Sequence, residues 1–311
     1  MLHYQIHGRI LASAVPLPEL HSAPTDGEPT WILTVSDEVP SPPRDSWVLL
    51  GEEALPAYGA SVALWHGSDG RYRLSYTDTG VFDFQENGRH ILWYRPAAVD
   101  IEVARMDILG RVLGLASYLV GDVVLHASGV EIAGRAVAFA APKFFGKSTL
   151  ATALADAGAR LISDDAIAVR SETVVQCAPG VPSLRLRRES ARHLGRLGSG
   201  EVVPDRILEK LSEERVASDV VPLDAVYVLD PRPPTTGNGT CATRTLLGGV
   251  ESALALVRYS KMGALLGRQE GVRYLDRATQ LATRLPVYVL TYERDFSKLS
   301  SVVGKILEWH R

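Results

Sequence analysis

Residues 125–169 read LHASGVEIAGRAVAFAAPKFFGKSTLATALADAGARLISDDAIAV and contain the pattern that decides the fold. Two apolar runs on either side of Ala133-Gly134 predict a pair of strands. The alanine- and leucine-rich run that follows predicts a helix ending at Gly158, a residue typical of helix C-termini. The apolar run 161–169 then predicts a further strand. Strands and a helix in this order indicate the α/β class.

The segment between the second strand and the helix, residues 141–148, reads APKFFGKS. It has the form G-x-x-x-x-G-K-S of a phosphate-binding loop, with Ala141 in place of the first glycine. Backbone N–H groups of such a loop and of the helix start point at one spot and attract an anion. Lys147 supplies a mobile positive charge for the β- and γ-phosphates, and the Ser148 hydroxyl suits Mg²⁺, a hard cation. The candidate nucleotide-binding residues are Ala141, Pro142, Lys143, Phe144, Phe145, Gly146, Lys147, Ser148 and Thr149.

Two residues, Ala141 and Phe144, depart from the common loop pattern. Phe144 occupies a position that often needs a positive φ, which is costly for a bulky residue. Either the loop follows a modified path, or Phe144 and Phe145 lean outward over the nucleotide. Lys143 adds a second cation inside the loop, either as a solvated lysine or as a further phosphate contact.

Two adjacent carboxylates, Asp164 and Asp165, lie in the apolar run after the helix. Their desolvation is costly unless a cation or hydrogen-bond donors are close, and a Mg²⁺–nucleotide site would provide that cation. Neighbours on a strand point to opposite faces, so only one should face the phosphates unless the strand ends there. The alternative is a strand-to-turn junction with both acids in solvent. His126 is predicted to lie on the strand VVLHAS, and by composition alone would be a core residue.

The first hundred residues are predicted to be rich in β-strands. Residues 71–76 (RYRLSY) alternate with the period of a half-buried strand. Residues 81–94 (VFDFQENGRHILWY) contain two strand-like runs around Asn87-Gly88, and Asn-Gly favours a hairpin because both turn residues must tolerate positive φ. Over residues 98–120 the period changes to that of an amphipathic helix.

The C-terminal part holds further elements of an α/β domain. Residues 231–240 (PRPPTTGNGT) have low hydrophobicity and predict a surface loop. Residues 285–290 (LPVYVL) predict a buried strand, and residues 296–310 predict an amphipathic terminal helix. We therefore predict two domains, a β-rich one over residues 1–120 that ends in the amphipathic helix, and an α/β one over residues 121–311.

Composition and charge exclude several classes of function. The chain has 311 residues, with 33 Lys and Arg against 36 Asp and Glu and a net charge of −3, which argues against a dedicated nucleic-acid binder. Two cysteines, Cys177 and Cys241, are too few for a disulfide framework. The first residues lack a signal-peptide pattern, and the longest apolar stretch, 108–120, is too short to cross a bilayer. We expect a cytoplasmic protein without nucleic-acid or membrane partners.

Residues 125–169 resemble the C-terminal kinase domain of HPr kinase/phosphorylase, through a Leu-His strand, a phosphate-binding loop and a paired Asp-Asp in the same order. Residues 222–230 (PLDAVYVLD) and 285–310 extend the resemblance, which covers residues 123–311. With its β-rich N-terminal lobe, the chain looks most like the HPr-kinase-related proteins of peptide natural-product pathways, including lasso-peptide tailoring kinases. The resemblance implies a P-loop kinase domain of the HPr-kinase, PEP-carboxykinase-like type, in which helices flank a mixed sheet.

The resemblance also implies ATP and Mg²⁺ as cofactors. Lys147 and the loop backbone would hold the triphosphate, and Ser148 with Asp164 would hold Mg²⁺. Asp165 matches the family's proton acceptor, which deprotonates a seryl hydroxyl, and His126 matches the histidine that orients or screens the pair. The implied partner is a peptide or small protein with a Ser or Thr acceptor, and members of the family assemble into homo-oligomers.

The residues themselves leave alternatives open. A kinase of a small-molecule hydroxyl and a non-catalytic nucleotide-binding scaffold fit the same motif. Arg258 and Lys261 are candidates, by position only, for the family's catalytic arginine. A group of arginines forms either a grip for an acidic peptide or phosphates, or a solvated edge strand with charged side chains. The group consists of Arg185, Arg187, Arg188 and Arg192.

Overall fold

The computed structural model describes residues 1–42, 46–56, 59–198, 200–203, 206–234 and 241–311. Contacts divide the chain into two compact units, and each is described by itself. The first unit comprises Met1–Val124 and Lys261–Asp276, and the second comprises Leu125–Ser260 and Arg277–Arg311. The division into domains 1–120 and 121–311 stays a prediction, and the contacts group the segment Lys261–Asp276 with the first unit.

The described strands of the first unit form one mainly antiparallel sheet. In chain order they are β1 (Leu2–Ile6), β2 (Arg9–Ser13), β3 (His21–Ser22), β4 (Trp31–Ser36), β5 (Trp47–Leu55), β6 (Ala60–Gly67), β7 (Tyr72–Tyr76), β8 (Gly80–Gln85) and β9 (His90–Tyr94). Their order across the sheet is β3-β1-β2-β4-β9-β8-β7-β6-β5. β4 pairs in parallel with β2 and β9, and the other neighbours pair antiparallel.

The hairpin predicted at Asn87-Gly88 is confirmed. It joins the antiparallel strands β8 and β9, with Asn87 at φ 57° and Gly88 at φ 88°. Both residues adopt the left-handed region that Asn and Gly tolerate best. The strand predicted over residues 71–76 is confirmed as β7. Arg73, on its other face, is also buried, because its guanidinium donates to both oxygens of the buried Asp83 carboxylate.

The helix predicted over residues 98–120 is confirmed, but it is not a regular α-helix. It consists of α1 (Ile101–Asp107), a π-helical turn (Ile108–Val112) and α2 (Leu113–Leu119). The Asp100 side chain caps its start by accepting hydrogen bonds from two backbone N–H groups of the first turn. The sequence predicts one apolar stripe, whereas nearly every side chain from 108 to 118 is buried. The π-turn changes the helical period, and burial therefore extends around the helix.

The second unit contains a mixed sheet with helices, which confirms the mixed α/β class. The strands after β9 are β10 (Val123–Leu125), β11 (Ala127–Ile132), β12 (Arg135–Ala140), β13 (Arg160–Asp164), β14 (Ile167–Ser171), β15 (Val175–Ala178), β16 (Ser183–Arg187), β17 (Glu201–Val203), β18 (Arg206–Lys210), β19 (Val221–Asp230), β20 (Ala242–Leu246) and β21 (Val287–Tyr292). Within the unit the order is β14-β15-β19-β12-β11-β13, and β21 pairs with β19 and β20. β19 pairs in parallel with β12 and β21. β16, β18 and β17 form a separate antiparallel sheet.

The helices after α2 are α3 (Lys147–Asp156), α4 (Arg188–His193), α5 (Gly249–Arg258), α6 (Gly267–Ala282) and α7 (Leu299–His310). In the second unit, α3 and α7 pack on the central strands: Leu150 and Leu154 of α3 and Ile306 of α7 share one core with Phe139 of β12. This packing holds the start of α3 at the end of β12. No helix of the described residues is both long enough and apolar enough to span a bilayer.

Several predicted C-terminal elements are confirmed. The strand predicted over residues 285–290 is β21, and the terminal helix is α7, preceded by a 3₁₀ turn at Phe296–Lys298. The predicted end of α3 is confirmed at Gly158, which has φ 99°. In the loop predicted over residues 231–240, the first four residues lie outside helices and strands, and residues 235–240 lie outside the described part of the chain.

Two predictions about strands are wrong. The single strand predicted over residues 161–169 is two strands, β13 and β14, because the chain turns at Asp165, whose φ is 102°. His126 lies between β10 and β11 and belongs to neither strand. Both differences place a polar side chain at a strand end, where it can face a cleft.

Candidate functional site

The loop between β12 and α3 has the strand–loop–helix setting that the motif requires. Gly146 caps α3 with φ 94°, and its carbonyl accepts the first helical hydrogen bond from Leu150 N at 2.9 Å. Ala141, at the position of the usual first glycine, is fully buried and packs in the same core as Leu150. The methyl group therefore fills core space and leaves the rest of the loop free to curve around an anion.

Phe144 and Phe145 lie in different environments. Phe144 has φ 74°, so the positive φ expected at this position occurs on a bulky residue, at a cost on the order of 1 kcal/mol. Its ring is 54% exposed and lies under the guanidinium of Arg187, whose Cζ is 4.6 Å from the ring centroid. Phe145 packs partly against the core. Only Phe144 thus leans over the cleft, in contact with an arginine.

Tyr292 supports the loop from β21, and the sequence reasoning missed it. Its hydroxyl donates to the Phe145 carbonyl oxygen at 2.8 Å and lies 3.1 Å from the point where a Cβ at Gly146 would stand. Burial raises the pKa of Tyr292 to about 12, so the phenol stays a neutral donor. The close approach explains why the loop needs a glycine before Lys147.

Lys147 is buried at the base of the loop. Its Nζ donates to the carbonyl oxygens of Ala141 at 2.9 Å and Pro142 at 3.4 Å, and lies 3.3 Å from Nε2 of His126. The ammonium group is thereby held inside the loop, where a phosphate would meet it.

Asp164 closes β13 beneath the loop and is only 3% exposed. Its Oδ1 accepts from Ser148 Oγ at 2.9 Å and also from Ser128 Oγ, and its Oδ2 accepts from Arg185 N at 2.9 Å. Three donors therefore stabilise a buried carboxylate, as such a group requires. Ser128 was not singled out by the sequence, although it stands two residues after His126 in the run LHAS.

Asp165 lies in the same cleft as Asp164. Its Oδ1 is 3.0 Å from Nδ1 of His126, and its Oδ2 accepts from Arg185 Nη1 at 3.2 Å. The side chain is 23% exposed and therefore more accessible than that of Asp164. Neighbouring side chains on a continuous strand point to opposite faces. Because β13 ends between Asp164 and Asp165, their side chains can both face the cleft. The alternative with both acids in solvent is wrong, since Asp164 is buried.

His126 connects the two charged groups of the site. Its Nε2 faces the Lys147 ammonium and its Nδ1 faces the Asp165 carboxylate. A neutral imidazole with the proton on Nδ1 donates to Asp165 and accepts from Lys147. The prediction from composition, a core histidine, is therefore wrong, because the ring lies between two charged groups at the cleft.

The cleft formed by these residues has a cavity volume of about 110 Å³. Ser190 and Thr149 also line it, and Thr149 Oγ1 donates to Ser190 Oγ at 2.9 Å. Its walls are strongly basic outside the two aspartates. The lining cations are Lys143, Lys147, Arg185, Arg187, Arg206 and Arg294.

The cleft separates the candidate arginines into two sets. Arg185 and Arg187, on β16, line it, which favours for these two the alternative of a grip for an acidic peptide or phosphates. Arg188 and Arg192 are exposed on α4 and do not line it. Neither Arg258 nor Lys261 lines it; Lys261 lies in the first unit. Arg206 and Arg294 were missed, because neither stands in a recognisable motif.

The donor set fits a hard divalent cation bound together with phosphates. Ser148 Oγ and the Asp164 carboxylate are oxygen ligands 2.9 Å apart, and Mg²⁺ usually takes one or two protein oxygens and completes its shell with phosphates and water. No group of three or more His, Cys, Asp and Glu side chains among the described residues forms a self-sufficient metal site. The site therefore suits a metal that arrives with a nucleotide.

Comparisons with known proteins identify a distant structural similarity. No family model and no curated protein matches the sequence. Among solved structures, the HPr(Ser) kinase/phosphatase from Coxiella burnetii superposes with a TM-score of 0.34 and 13% sequence identity, over 60% of this chain and 95% of that chain. A similarity this distant assigns no activity to the chain.

Proposed function

We propose that this protein is an ATP- and Mg²⁺-dependent phosphotransferase that moves the γ-phosphate to a Ser or Thr hydroxyl. The observation that carries the proposal is the convergence of Lys147, Asp164 and Asp165 on one basic cleft. A loop that only binds a nucleotide needs the lysine, whereas a second, accessible carboxylate next to it serves a proton transfer.

The nucleotide phosphates would lie in the loop. Backbone N–H groups at the start of α3 and the Lys147 ammonium would bind the β- and γ-phosphates. Arg185 and Arg187 line the open side of the cleft and would neutralise charge that develops during transfer.

Ser148 and Asp164 would hold Mg²⁺. When bound, the ion neutralises charge on the phosphate oxygens and orients the terminal phosphate. The Ser128 hydroxyl and the Arg185 backbone N–H hold the Asp164 carboxylate from the protein side and fix its direction.

Asp165 would act as the general base. It would take the proton of the acceptor hydroxyl as that oxygen forms a bond to the γ-phosphorus and the bond from phosphorus to the β–γ bridging oxygen breaks, which releases ADP. His126 and Arg185 hold the two oxygens of Asp165 and so position it beside the metal-binding pair.

We further propose a peptide or small protein as the acceptor, with a ribosomal peptide precursor as the first substrate class to test. The sequence resemblance supports this choice, and so does a basic rim that includes the exposed Arg294. A basic rim attracts an acidic peptide segment.

The test is phosphate transfer from ATP in the presence of Mg²⁺, with seryl peptides as acceptors and mass spectrometry as the readout. We expect Lys147→Ala to lose nucleotide binding and transfer. We expect Asp165→Asn to keep nucleotide binding but to transfer about 10²–10⁴-fold more slowly. Matched controls are Lys305→Ala, a lysine paired with Glu308 on α7, and Asp219→Asn, an exposed aspartate.

The outcomes separate the candidate functions. Transfer that Asp165→Asn leaves unchanged contradicts the proposed base. Nucleotide binding without turnover, in the presence of both peptides and small alcohols, favours the non-catalytic scaffold. Transfer to small alcohols alone moves the acceptor to the small-molecule class.

A further inference from the structure

A second cleft in the second unit lies along α3. We call it the α3 groove; it is lined by the C-terminal half of α3, the end of α4 and residues 295–307. Most of its wall is apolar, with Ala153, Leu194 and Val303 among the lining residues. The proposed function makes no use of this surface.

The groove and the phosphate cleft share a helix face. Thr149 lines the phosphate cleft, and Ala153 and Ala157 line the α3 groove. Residues four and eight positions apart lie on one face of a helix. With a rise of 1.5 Å per residue, the groove begins about 6 Å beyond Thr149. The two cleft regions therefore lie next to each other along α3, and we treat them together as one trough with its basic end at the helix start.

The same continuity holds on the opposite walls. On α4, Ser190 lines the phosphate cleft, and His193, one turn later, lines the α3 groove. After β21, Arg294 lines the phosphate cleft, and its neighbours Asp295 and Phe296 line the groove. A ligand with an anionic end and a less polar end can therefore extend from one cleft to the other, past the Thr149–Ser190 hydrogen bond that joins α3 to α4.

An aromatic pair lines the groove. The rings of His193 and Phe296 stack with centroids 3.9 Å apart and an interplanar angle of 13°. His193 is exposed and Phe296 is half-buried, so the pair presents ring surface to the groove. Such a surface stacks well with a planar heteroaromatic ring. Asp156 and Asp295 also line the groove; Oδ1 of Asp156 accepts from Arg196 and Arg215, and Oδ1 of Asp295 accepts from Ser297 N at 2.8 Å.

We propose that the α3 groove binds the nucleoside of the nucleotide whose phosphates lie in the loop, with the base stacked on the His193–Phe296 pair. This inference rests on the proposed function, because it places the rest of the same nucleotide. The trough matches the order of parts in a nucleoside triphosphate: charged phosphates at the helix start, then a sugar, then a flat ring. His193 and Phe296 therefore determine affinity for a nucleotide over a bare polyphosphate.

The test compares two probes by calorimetry on the full chain with Mg²⁺: a non-hydrolysable ATP analogue and inorganic tripolyphosphate. We expect Phe296→Ala to weaken the analogue about tenfold, the scale of one base–aromatic stack, and to leave tripolyphosphate unchanged. His193→Ala, at an exposed position, should act in the same direction, and Phe296→Tyr should keep the affinity. Lys147→Ala should weaken both probes.

Each result has a defined meaning. Equal affinities of the wild type for the two probes overturn the inference, as does a folded Phe296→Ala or His193→Ala protein that binds both probes like the wild type. Equal weakening of both probes by these variants overturns it as well. A wild-type protein that binds neither probe contradicts the proposed function instead. Melting temperatures identify variants that fail to fold. If Phe296→Ala does not fold, the affinities of His193→Ala for the two probes provide the test.

Discussion

Two carboxylates, one in each unit, are buried to the same extent: Asp164 in the second unit and Glu270 in the first are both 3% exposed. Hydroxyl groups stabilise both. Glu270 Oε1 accepts from Tyr72 OH at 3.0 Å, and its Oε2 accepts from Tyr118 OH at 2.6 Å. The Arg273 guanidinium donates to Oε1 at 2.6 Å. By hydrogen bonding alone, the two sites look alike.

The difference lies in access and in the size of the donors. The donors to Glu270 include buried phenols, which cannot turn without disturbing the core. The donors to Asp164 include the Ser148 hydroxyl, a small group that can rotate at the edge of an open cleft. Both buried carboxylates accept hydrogen bonds from hydroxyl groups. Glu270 is therefore a structural group in the first unit, whereas Asp164 is a candidate metal ligand in the second.

The largest expected effect tests Asp164 as a functional group. We expect Asp164→Asn to slow phosphate transfer on the order of 10²–10³-fold, because the variant loses the charge that would hold Mg²⁺. The measurement is the transfer rate across a Mg²⁺ titration, with Glu270→Gln as the control that keeps its rate per folded molecule. A rate equal to that of the wild type would place Asp164 with Glu270, among structural carboxylates.

A smaller effect tests Glu270 as a structural group. We expect Glu270→Ala to lower the free energy of unfolding by about 3 kcal/mol, because two buried phenols and an arginine lose their acceptor. Urea denaturation measures this change, and nucleotide affinity of the folded variant should stay at the wild-type value. A change below about 1 kcal/mol would show that the first unit does not depend on this network.

A third carboxylate, Asp107 in the first unit, sharpens the comparison. Its Oδ2 accepts from Thr79 Oγ1 at 2.6 Å, and burial raises the pKa of Asp107 from 3.8 to about 6. As the pH rises, the Asp107 carboxyl loses its proton in the unfolded chain before it does so in the folded protein. The stability that the protonated Asp107 contributes is therefore full below pH 4 and is lost as the pH rises to about 6.

We therefore expect Asp107→Asn to be more stable than the wild type at pH 7, by up to about 3 kcal/mol, and to differ less at pH 4. Unfolding free energies at the two pH values provide the measurement. An equal difference at both values would contradict the raised pKa and assign the effect to the hydrogen bond with Thr79.

Local sequence patterns predicted much of the fold and part of the candidate site. The loop 141–148, the helix that ends at Gly158 and the hairpin at Asn87-Gly88 were predictable, because each depends on residues within a few positions of one another. The π-turn at Ile108–Val112 was not predictable. An amphipathic pattern indicates a helix, but it does not show at which turn the helix contains an extra residue.

The remaining site residues come from distant parts of the chain. Tyr292 reaches the loop because β21 pairs with β19. Arg185 reaches both aspartates from β16, which belongs to a separate sheet. The phosphate-binding motif contains no signal for these contacts, because they depend on the pairing of strands far apart in sequence.

The sequence by itself determined the strand–loop–helix unit, the lysine and serine of the loop and the presence of two adjacent acids. Only the tertiary structure decided that both acids face one cleft. Asp165 follows the end of β13 with φ 102°, which the apolar pattern of LISDDAIAV does not indicate. The physical reason is that backbone conformation at one residue follows from the contacts its side chain finds, here His126 and Arg185, and those contacts form only when the sheet is assembled.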